Sequence, residues 1–216
     1  MRLKKRNVLN LFLVIFCFIY TLLVKVIDVS DIGPDGSKVG FSCINKFFYN
    51  VFSYNETIYK ITEILGYLAI LIVCGYGLLG LYQLIKRKSI KLVDKDIITL
   101  GIFYVVVIII YVLFEKIIIN YRPVILDGVL EASYPSSHTL LAIFVCGSGV
   151  LINDKLFSDF KYKKLINIGF IVLMVLIVLG RLISGVHWFS DILGGILIAC
   201  TLLSLFNSII HSKKLS

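Results

Sequence analysis

The sequence predicts an all-α fold, namely an integral membrane helical bundle with about six transmembrane helices in a single domain over residues 1–216. Of the 216 residues 59% are hydrophobic, whereas a soluble domain averages about 45–50% apolar residues. These residues fall into runs close to the length of about 20 residues that crosses a bilayer. Because the bilayer core offers no water to the backbone, we expect each run to be a helix.

Six apolar runs account for most of the chain. The first, at about 8–27, follows a basic N-terminus but is longer than a signal-peptide core and lacks a small-residue cleavage site, so we expect a retained helix. The remaining spans are predicted at about 61–85, 97–119, 138–152, 165–183 and 191–210. Residues 28–60 combine turn formers with aromatic side chains, a composition typical of the membrane surface, and predict a short interfacial helix there.

The basic residues predict the orientation of these helices. The N-terminus, the 86–96 loop, the 153–164 loop and the C-terminus carry four, five, four and two Lys or Arg residues, respectively. Short basic loops are retained in the cytoplasm, so we expect both termini there. The segments 28–60, 120–137 and 184–190 then face outside, in a multi-pass protein of the cell membrane.

Charge and cysteine usage argue against several other classes of protein. The net charge of +9 is spread over short loops between apolar runs, so membrane lipids, and no nucleic acid, are the expected partners. The five cysteines form no CxxC or Cys/His cluster, which argues against a disulfide framework and a zinc site. No carboxylate cluster suggests another metal site, so we expect no metal and no cofactor.

Two of the outward segments hold side chains suited to phosphate. Arg122 and Arg181 carry planar guanidinium groups that match phosphate oxygens, and Lys116 adds a further cation. Ser136 and Ser137 come directly before the fourth span. Backbone N–H groups at such a helix start favour an anion.

The same segments hold two histidines that can act on a bound phosphate. His138 lies at the start of the fourth span, whereas His187 and Asp191 are four residues apart and face the same way on a helical turn. A carboxylate on one ring nitrogen fixes the tautomer and leaves the other nitrogen nucleophilic. One histidine can then attack phosphorus while the other donates a proton to the leaving oxygen.

Each of these parts also has a simpler structural interpretation. Arg122-Pro123 can be an ordinary loop start, and the serines can merely cap a helix. The charged residues at 181–191 can form a structural ion network. Ionisable groups at a membrane boundary are costly, however, and all of these lie on one predicted side, so their conjunction favours a functional site.

These motifs resemble those of the type 2 phosphatidic acid phosphatase family, which also includes soluble acid phosphatases and vanadium haloperoxidases. The family pattern Ser-Arg-x5-His-x3-Asp is matched by Arg181, His187 and Asp191, with Gly180 in place of the serine. The pattern Pro-Ser-Gly-His corresponds to residues 135–138, with serine in place of the glycine.

The first family motif, Lys-x6-Arg-Pro, is only partly present. Arg122-Pro123 fits, but Lys116 lies one residue too close and Glu115 occupies the lysine position. A shift of one residue turns a helical side chain by about 100°.

The resemblance implies a catalytic role for each matched residue and no need for a metal ion. His187 would be the nucleophile that forms a phosphohistidine, Asp191 would orient it, and His138 would be the general acid. The residues that would bind phosphate are Arg122, Arg181, Lys116, Ser136 and Ser137.

The activity implied is dephosphorylation of a membrane lipid phosphate or diphosphate at the outer face. Undecaprenyl diphosphate is the first candidate, followed by phosphatidylglycerophosphate and phosphatidic acid. Two alternatives are a lipid phosphotransferase and a non-catalytic lipid-phosphate binder or transporter, although the broken helices and repeated halves typical of transporters are not found. A serine hydrolase is disfavoured because the chain has no nucleophile-elbow pattern.

Overall fold

Seven α-helices make up the computed structural model, which describes residues 2–212. They are α1 (Arg2–Val26), α2 (Ser42–Val51), α3 (Glu56–Arg87), α4 (Lys95–Lys116), α5 (Ser137–Leu156), α6 (Lys163–Ile183) and α7 (Phe189–Ser212). All except α2 are long and apolar enough to cross a membrane. The predicted all-α membrane bundle of six spans is therefore confirmed. Lys213 and Lys214, which we expect in the cytoplasm, lie outside the described residues.

Two helices form the interior of the bundle. In α5, 61% of the apolar stretch is buried and in α7 44%, against 17% in each of α1, α3 and α6. Helix α5 packs against α3, α4, α6 and α7, and α1 packs against α7. The outer helices turn Leu, Ile, Val and Phe side chains outward, which is stable only where lipid covers them. Residues that start α5 and α7 are thus held by the best-packed part of the molecule.

Several helix ends differ from the sequence prediction. Helix α5 runs to Leu156 rather than stopping near residue 152. The polar side chains there remain helical because they are satisfied: Asn153 accepts a hydrogen bond from Tyr76 (2.7 Å) and donates one to Asn167 (3.0 Å). Helix α4 ends at Lys116, three residues earlier than predicted. Helix α3 has 32 residues, about 48 Å at the α-helical rise, and outreaches a hydrocarbon core of about 30 Å.

A short amphipathic helix, α2, lies within residues 28–60 as predicted. Its Phe47 side chain is exposed, while Phe48 stacks on Phe189 at the start of α7, with ring centroids 4.0 Å apart. The buried Asn45 accepts a hydrogen bond from the Ser190 backbone N–H (3.0 Å) and donates one to Ser190 Oγ (2.9 Å). Helix α2 therefore supports the first turn of α7.

The two ends of the bundle have different chemistry. Arg6 donates a hydrogen bond to the Ser208 carbonyl (2.6 Å), and Lys155 donates one to the Ile210 carbonyl (2.6 Å) and pairs with Asp96 (2.6 Å). The N-terminal part of α1, the end of α5 and the end of α7 therefore share one basic end. The loops 120–136 and 184–188 meet at the opposite end, where the sequence predicts the functional residues.

Candidate active site

A hairpin-like loop after α4 places Arg122. Tyr121 and Ala132 form an isolated antiparallel bridge, and the Arg122 N–H donates to the Glu131 carbonyl (3.0 Å). This pairing sets the two side chains beside each other, so Arg122 Nε lies 3.1 Å from Glu131 Oε2. Arg122 Nη1 is buried and has no hydrogen-bond partner among the described residues.

The turn before α5 places two serines and a histidine. The Ser136 N–H donates to the Asp191 carbonyl (3.0 Å), which joins this turn to the start of α7. Ser136 occupies the N-cap position of α5, but its hydroxyl makes no capping bond and is buried without a partner in the described structure. Ser137 and His138 begin the helix and line a large cavity. The interpretation of Ser136 as a simple helix cap is thus not supported.

Arg181 lies fully buried in the last turn of α6. Its Nη2 forms an ion pair with Glu63 of α3, and its guanidinium lies 5.2 Å from the centre of the Tyr59 ring. Its Nε and Nη1 atoms have no partner within the described part of the chain. A Cβ at the preceding Gly180 would come within 2.4 Å of Thr62 Cγ2, so the serine of the family pattern would require the Thr62 side chain to move.

The imidazole of His187 is 4% exposed and is held through Ser133. His187 Nδ1 lies 2.9 Å from Ser133 Oγ. Within residues 2–212, no direct hydrogen bond or ion pair joins His187 to Asp191. The orienting role of Asp191 therefore stays a prediction, and the partner of Nδ1 in the described residues is Ser133 Oγ. His187 Nε2 is buried and unpartnered in the same set of residues.

Asp191 is fully buried and satisfied by neutral donors. Its Oδ1 accepts from Asn120 Nδ2 (2.9 Å) and from Ser190 Oγ (3.2 Å), and its Oδ2 accepts from the Trp188 N–H (3.3 Å). A buried carboxylate needs such donors to avoid a large desolvation cost. Asn120 thus holds the carboxylate at the turn between α6 and α7.

Electrostatics keep His187 neutral. Burial lowers the pKa of His187 well below its ordinary value, and the neighbouring positive charges of Arg122 and Arg181 lower it further. A neutral imidazole with its proton on Nδ1, facing Ser133, leaves a lone pair on Nε2. The geometry therefore supplies a nucleophilic nitrogen at neutral pH.

His138 is seated against α3 by two residues of that helix. Its Nε2 lies 3.4 Å from Glu63 Oε1, and a Cβ at Gly66 would come within 2.7 Å of its Cδ2 atom and 2.8 Å of its Nε2 atom. The absence of a side chain at Gly66 is what lets the ring lie so close to the helix backbone. His138 Nδ1 is buried without a partner in the described part of the chain.

A cavity of about 880 Å³ opens from these groups between α3 and α4. Its polar end is lined by Arg122, Ser137, His138 and His187. Its other end is apolar and aromatic and includes Tyr67, Ile70, Val107, Ile108 and Phe114. Arg181 lies behind Glu63, which itself lines the cavity. The cavity therefore joins a polar pocket, which holds both cationic and acidic side chains, to an apolar groove.

Lys116 is not brought to this cavity. Its side chain is exposed, and the neighbouring Glu115 lines the cavity instead. Adjacent residues of a helix point about 100° apart, so only one of the two can face the pocket. The expected role of Lys116 in phosphate binding finds no support in this geometry.

Sequence reasoning missed three residues of the site. Ser133 and Asn120 both lie in the polar stretch that predicted a functional loop, but no motif singles them out. Glu63 is an isolated carboxylate near the start of the predicted second span. An ionisable residue in such a position is itself a signal of function.

The arrangement is suited to an anion with several oxygen atoms. Buried donors without partners in the described structure include atoms of Arg122, Arg181 and Ser136, and the charges of Arg122, Arg181 and His138 all act on His187. Unpaired buried donors are costly unless a ligand satisfies them. Among residues 2–212 no group of three or more metal-ligating side chains occurs.

Comparison with known families shows that the model of the PAP2 superfamily matches residues 69–214. Among solved structures, the chain is similar to a transmembrane PAP2-type phosphatidylglycerolphosphate phosphatase from Bacillus subtilis, with a TM-score of 0.64 and 18% sequence identity. That alignment covers 96% of this chain and 97% of the other, and at this identity it shows a shared fold. No curated protein sequence matches the chain.

Proposed function

This chain belongs to the PAP2 superfamily, and on that premise we propose that it dephosphorylates a lipid phosphate or diphosphate through a phosphohistidine on His187. The family resemblance carried by the sequence motifs is thereby confirmed, and the protein is a multi-pass membrane phosphatase. In the part of the chain that the structure describes, His187 Nε2, Arg122 Nη1 and two atoms of Arg181 are buried without hydrogen-bond partners, and the charges of both arginines act on His187. This observation carries the proposed mechanism.

In the first step, His187 Nε2 attacks phosphorus and the bond from phosphorus to the lipid oxygen breaks. His138 gives its proton to that oxygen, so the lipid leaves as a neutral alcohol or, from a diphosphate, as a monophosphate. Arg122 and Arg181 stabilise the charge on the transferring group, and Ser136 Oγ supplies a further hydrogen bond.

In the second step, water attacks the phosphohistidine while His138 accepts its proton. The bond from Nε2 to phosphorus breaks, and inorganic phosphate and neutral His187 are regenerated. Ser133 holds the ring throughout, with Nδ1–H donating to Ser133 Oγ. The buried Asp191 carboxylate in the first turn of α7 stabilises positive charge that develops on the imidazole.

The apolar groove supports a lipid substrate. It runs from His138 along α3 and α4, both of which turn apolar side chains outward. A lipid whose chain stays among these helices presents its phosphate to the pocket without leaving the membrane. The basic end of the bundle is opposite the pocket, so we place the site at the outer face and the termini in the cytoplasm.

The direct test is phosphate release by purified full-length protein in detergent from undecaprenyl diphosphate, phosphatidylglycerophosphate and phosphatidic acid. We expect release with at least one of them in excess EDTA, and inhibition by vanadate. His187→Ala should abolish turnover in a protein of unchanged thermal stability. Rapid quenching in alkaline denaturant should trap phosphate on His187 of the wild type.

Each other outcome identifies a different function. Turnover that requires a lipid or sugar acceptor and yields no free phosphate indicates a phosphotransferase. Binding of lipid phosphate without any turnover indicates a non-catalytic protein. Activity that EDTA abolishes and added divalent metal restores contradicts the metal-independent mechanism.

A further inference from the structure

Three carboxylates line the phosphate end of the cavity. They are Glu63 of α3, Glu115 of α4 and Glu131 of the hairpin-like loop. Building on the proposed function, we infer that these glutamates make the site selective for lipid monophosphate esters over lipid diphosphates.

Glu63 lies where the leaving group has to pass. Its Oε1 atom contacts both Arg181 Nη2 and His138 Nε2, and His138 is the group that protonates the leaving oxygen. The groove for the lipid chain continues from this point along α3. In a diphosphate, the second phosphate is attached to the leaving oxygen and therefore comes to lie beside the Glu63 carboxylate.

The cations of the pocket are already partly neutralised. Glu131 pairs with Arg122, and Glu63 pairs with Arg181. The side chain at the lysine position of the first family motif is the acidic Glu115, and Lys116 is exposed away from the cavity. Three carboxylates therefore accompany the two guanidinium groups, so a second phosphate would add negative charge beside side chains that are already acidic.

A monophosphate ester places a neutral alcohol beside Glu63 instead. A carboxylate there repels a negatively charged leaving group but can accept a hydrogen bond from a hydroxyl group, such as that of a glycerol headgroup. Like charges set against each other are a common source of selectivity between similar ligands. Among the substrate candidates from the sequence, undecaprenyl diphosphate came first. The monophosphate esters phosphatidylglycerophosphate and phosphatidic acid now come before it.

The experiment compares undecaprenyl monophosphate with undecaprenyl diphosphate, two lipids with the same chain. Both carry a label on the terminal phosphate, and initial rates of labelled phosphate release are measured with the full-length protein in detergent. We expect kcat/KM to be about 10-fold or more higher for the monophosphate. Glu63→Gln removes one charge at constant shape and should narrow the ratio of the two kcat/KM values by about 5-fold or more.

The ratio of the two kcat/KM values is informative even if Glu63→Gln lowers both of them, because a general distortion of the site slows the hydrolysis of both lipids. Glu131→Gln should also lower the preference for the monophosphate. Glu56→Gln is the matched control, since Glu56 lies on the same helix, pairs with the exposed Lys60 and is not among the residues that line the cavity. Its ratio should equal that of the wild type.

Two results would overturn the inference while leaving the proposed function intact. One is a wild-type protein that hydrolyses the diphosphate as well as the monophosphate. The other is a ratio that stays unchanged in both Glu63→Gln and Glu131→Gln. If the protein releases phosphate from none of the four lipids (undecaprenyl monophosphate, undecaprenyl diphosphate, phosphatidylglycerophosphate and phosphatidic acid), both the proposed function and this inference are overturned.

Discussion

At the scale of single residues, Ser133 and Asn120 each hold one side chain of the third family motif. Ser133 Oγ lies 2.9 Å from His187 Nδ1. A hydroxyl group can accept a hydrogen bond from that nitrogen and so fix the tautomer of the ring. Asn120 Nδ2 and the Trp188 N–H donate to the Asp191 carboxylate.

Ser133→Ala should lower kcat by about 10- to 100-fold, because an unsatisfied buried polar group costs about 1–3 kcal/mol and the ring loses its fixed tautomer. The loss should appear in kcat and in the rate of phosphohistidine formation, with little change in KM. Ser133→Thr keeps the hydroxyl and should retain most of the activity. A wild-type rate in a folded Ser133→Ala protein would show that Ser133 is not needed to position His187.

Lys116 provides the opposite case, since it lies one residue from the lysine position of the first family motif and its side chain is exposed outside the cavity. Lys116→Met should leave kcat/KM within about 2-fold of the wild type, because the side chain is exposed and Glu115 faces the cavity. Arg122→Met in the same assay should lose about 100-fold or more, as expected for removal of a buried group that stabilises transition-state charge. A large loss in Lys116→Met alone would mean that α4 turns or unwinds when substrate binds.

At the scale of helices, α3 is one wall of the active site. Tyr59, Glu63 and Gly66 are four and three residues apart, the spacing that places side chains on one face of a helix. Tyr59 faces the Arg181 guanidinium, Glu63 pairs with it, and Gly66 leaves room for the His138 ring. This helix precedes all three family motifs in the sequence, yet it contacts residues of two of them.

Gly66→Ala should damage proton donation by His138, because the added Cβ would meet the ring at 2.7 and 2.8 Å. We expect kcat/KM for a lipid alcohol ester to fall about 10- to 100-fold, within the range that general acid catalysis supplies. An activated aryl phosphate needs no proton on its leaving group, so its hydrolysis should fall much less.

Gly77→Ala is the matched control on the same helix, since a Cβ there meets nothing within 4 Å. Alanine is favoured over glycine in a helix by about 1 kcal/mol, so this variant should be active and no less stable to heat. An equal loss for both classes of substrate in Gly66→Ala would point to a general distortion rather than to His138.

At the scale of the whole molecule, the candidate phosphate-binding groups and a set of basic side chains lie at opposite ends of the bundle. The buried phosphate-binding groups lie at one end, and Arg6 and Lys155 lie at the other. Apolar side chains cover the outer faces of the helices between them. A bilayer fits this distribution, because basic loops stay on the cytoplasmic side and the opposite end then opens outside.

Cysteine labelling in intact cells can test this orientation. A variant that keeps only the native Cys43, which is exposed in α2, should react with a membrane-impermeant thiol reagent added outside. A cysteine-free protein carrying Lys91→Cys, in the exposed loop after α3, should react only after the cells are permeabilised. The reverse pattern would place the active site in the cytoplasm.

The sequence by itself determined the membrane class, the six spans and the family. Long apolar runs can adopt few structures, since only segments that satisfy their own backbone hydrogen bonds are stable across a bilayer. The spacing of Arg181, His187 and Asp191 identified the family because these residues lie close together along the chain. They lie between the end of α6 and the first turn of α7, where local geometry depends mainly on the sequence nearby.

Tertiary structure alone decided which distant residues complete the site. Glu63 reaches Arg181 across 118 positions of sequence, and Ser133 reaches His187 across 54. It also decided which side of α4 faces the cavity, which Glu115 lines and Lys116 does not, because α4 packs against α3, α5 and α7. Contacts between helices depend on the shape of the whole bundle, so no local pattern predicts them.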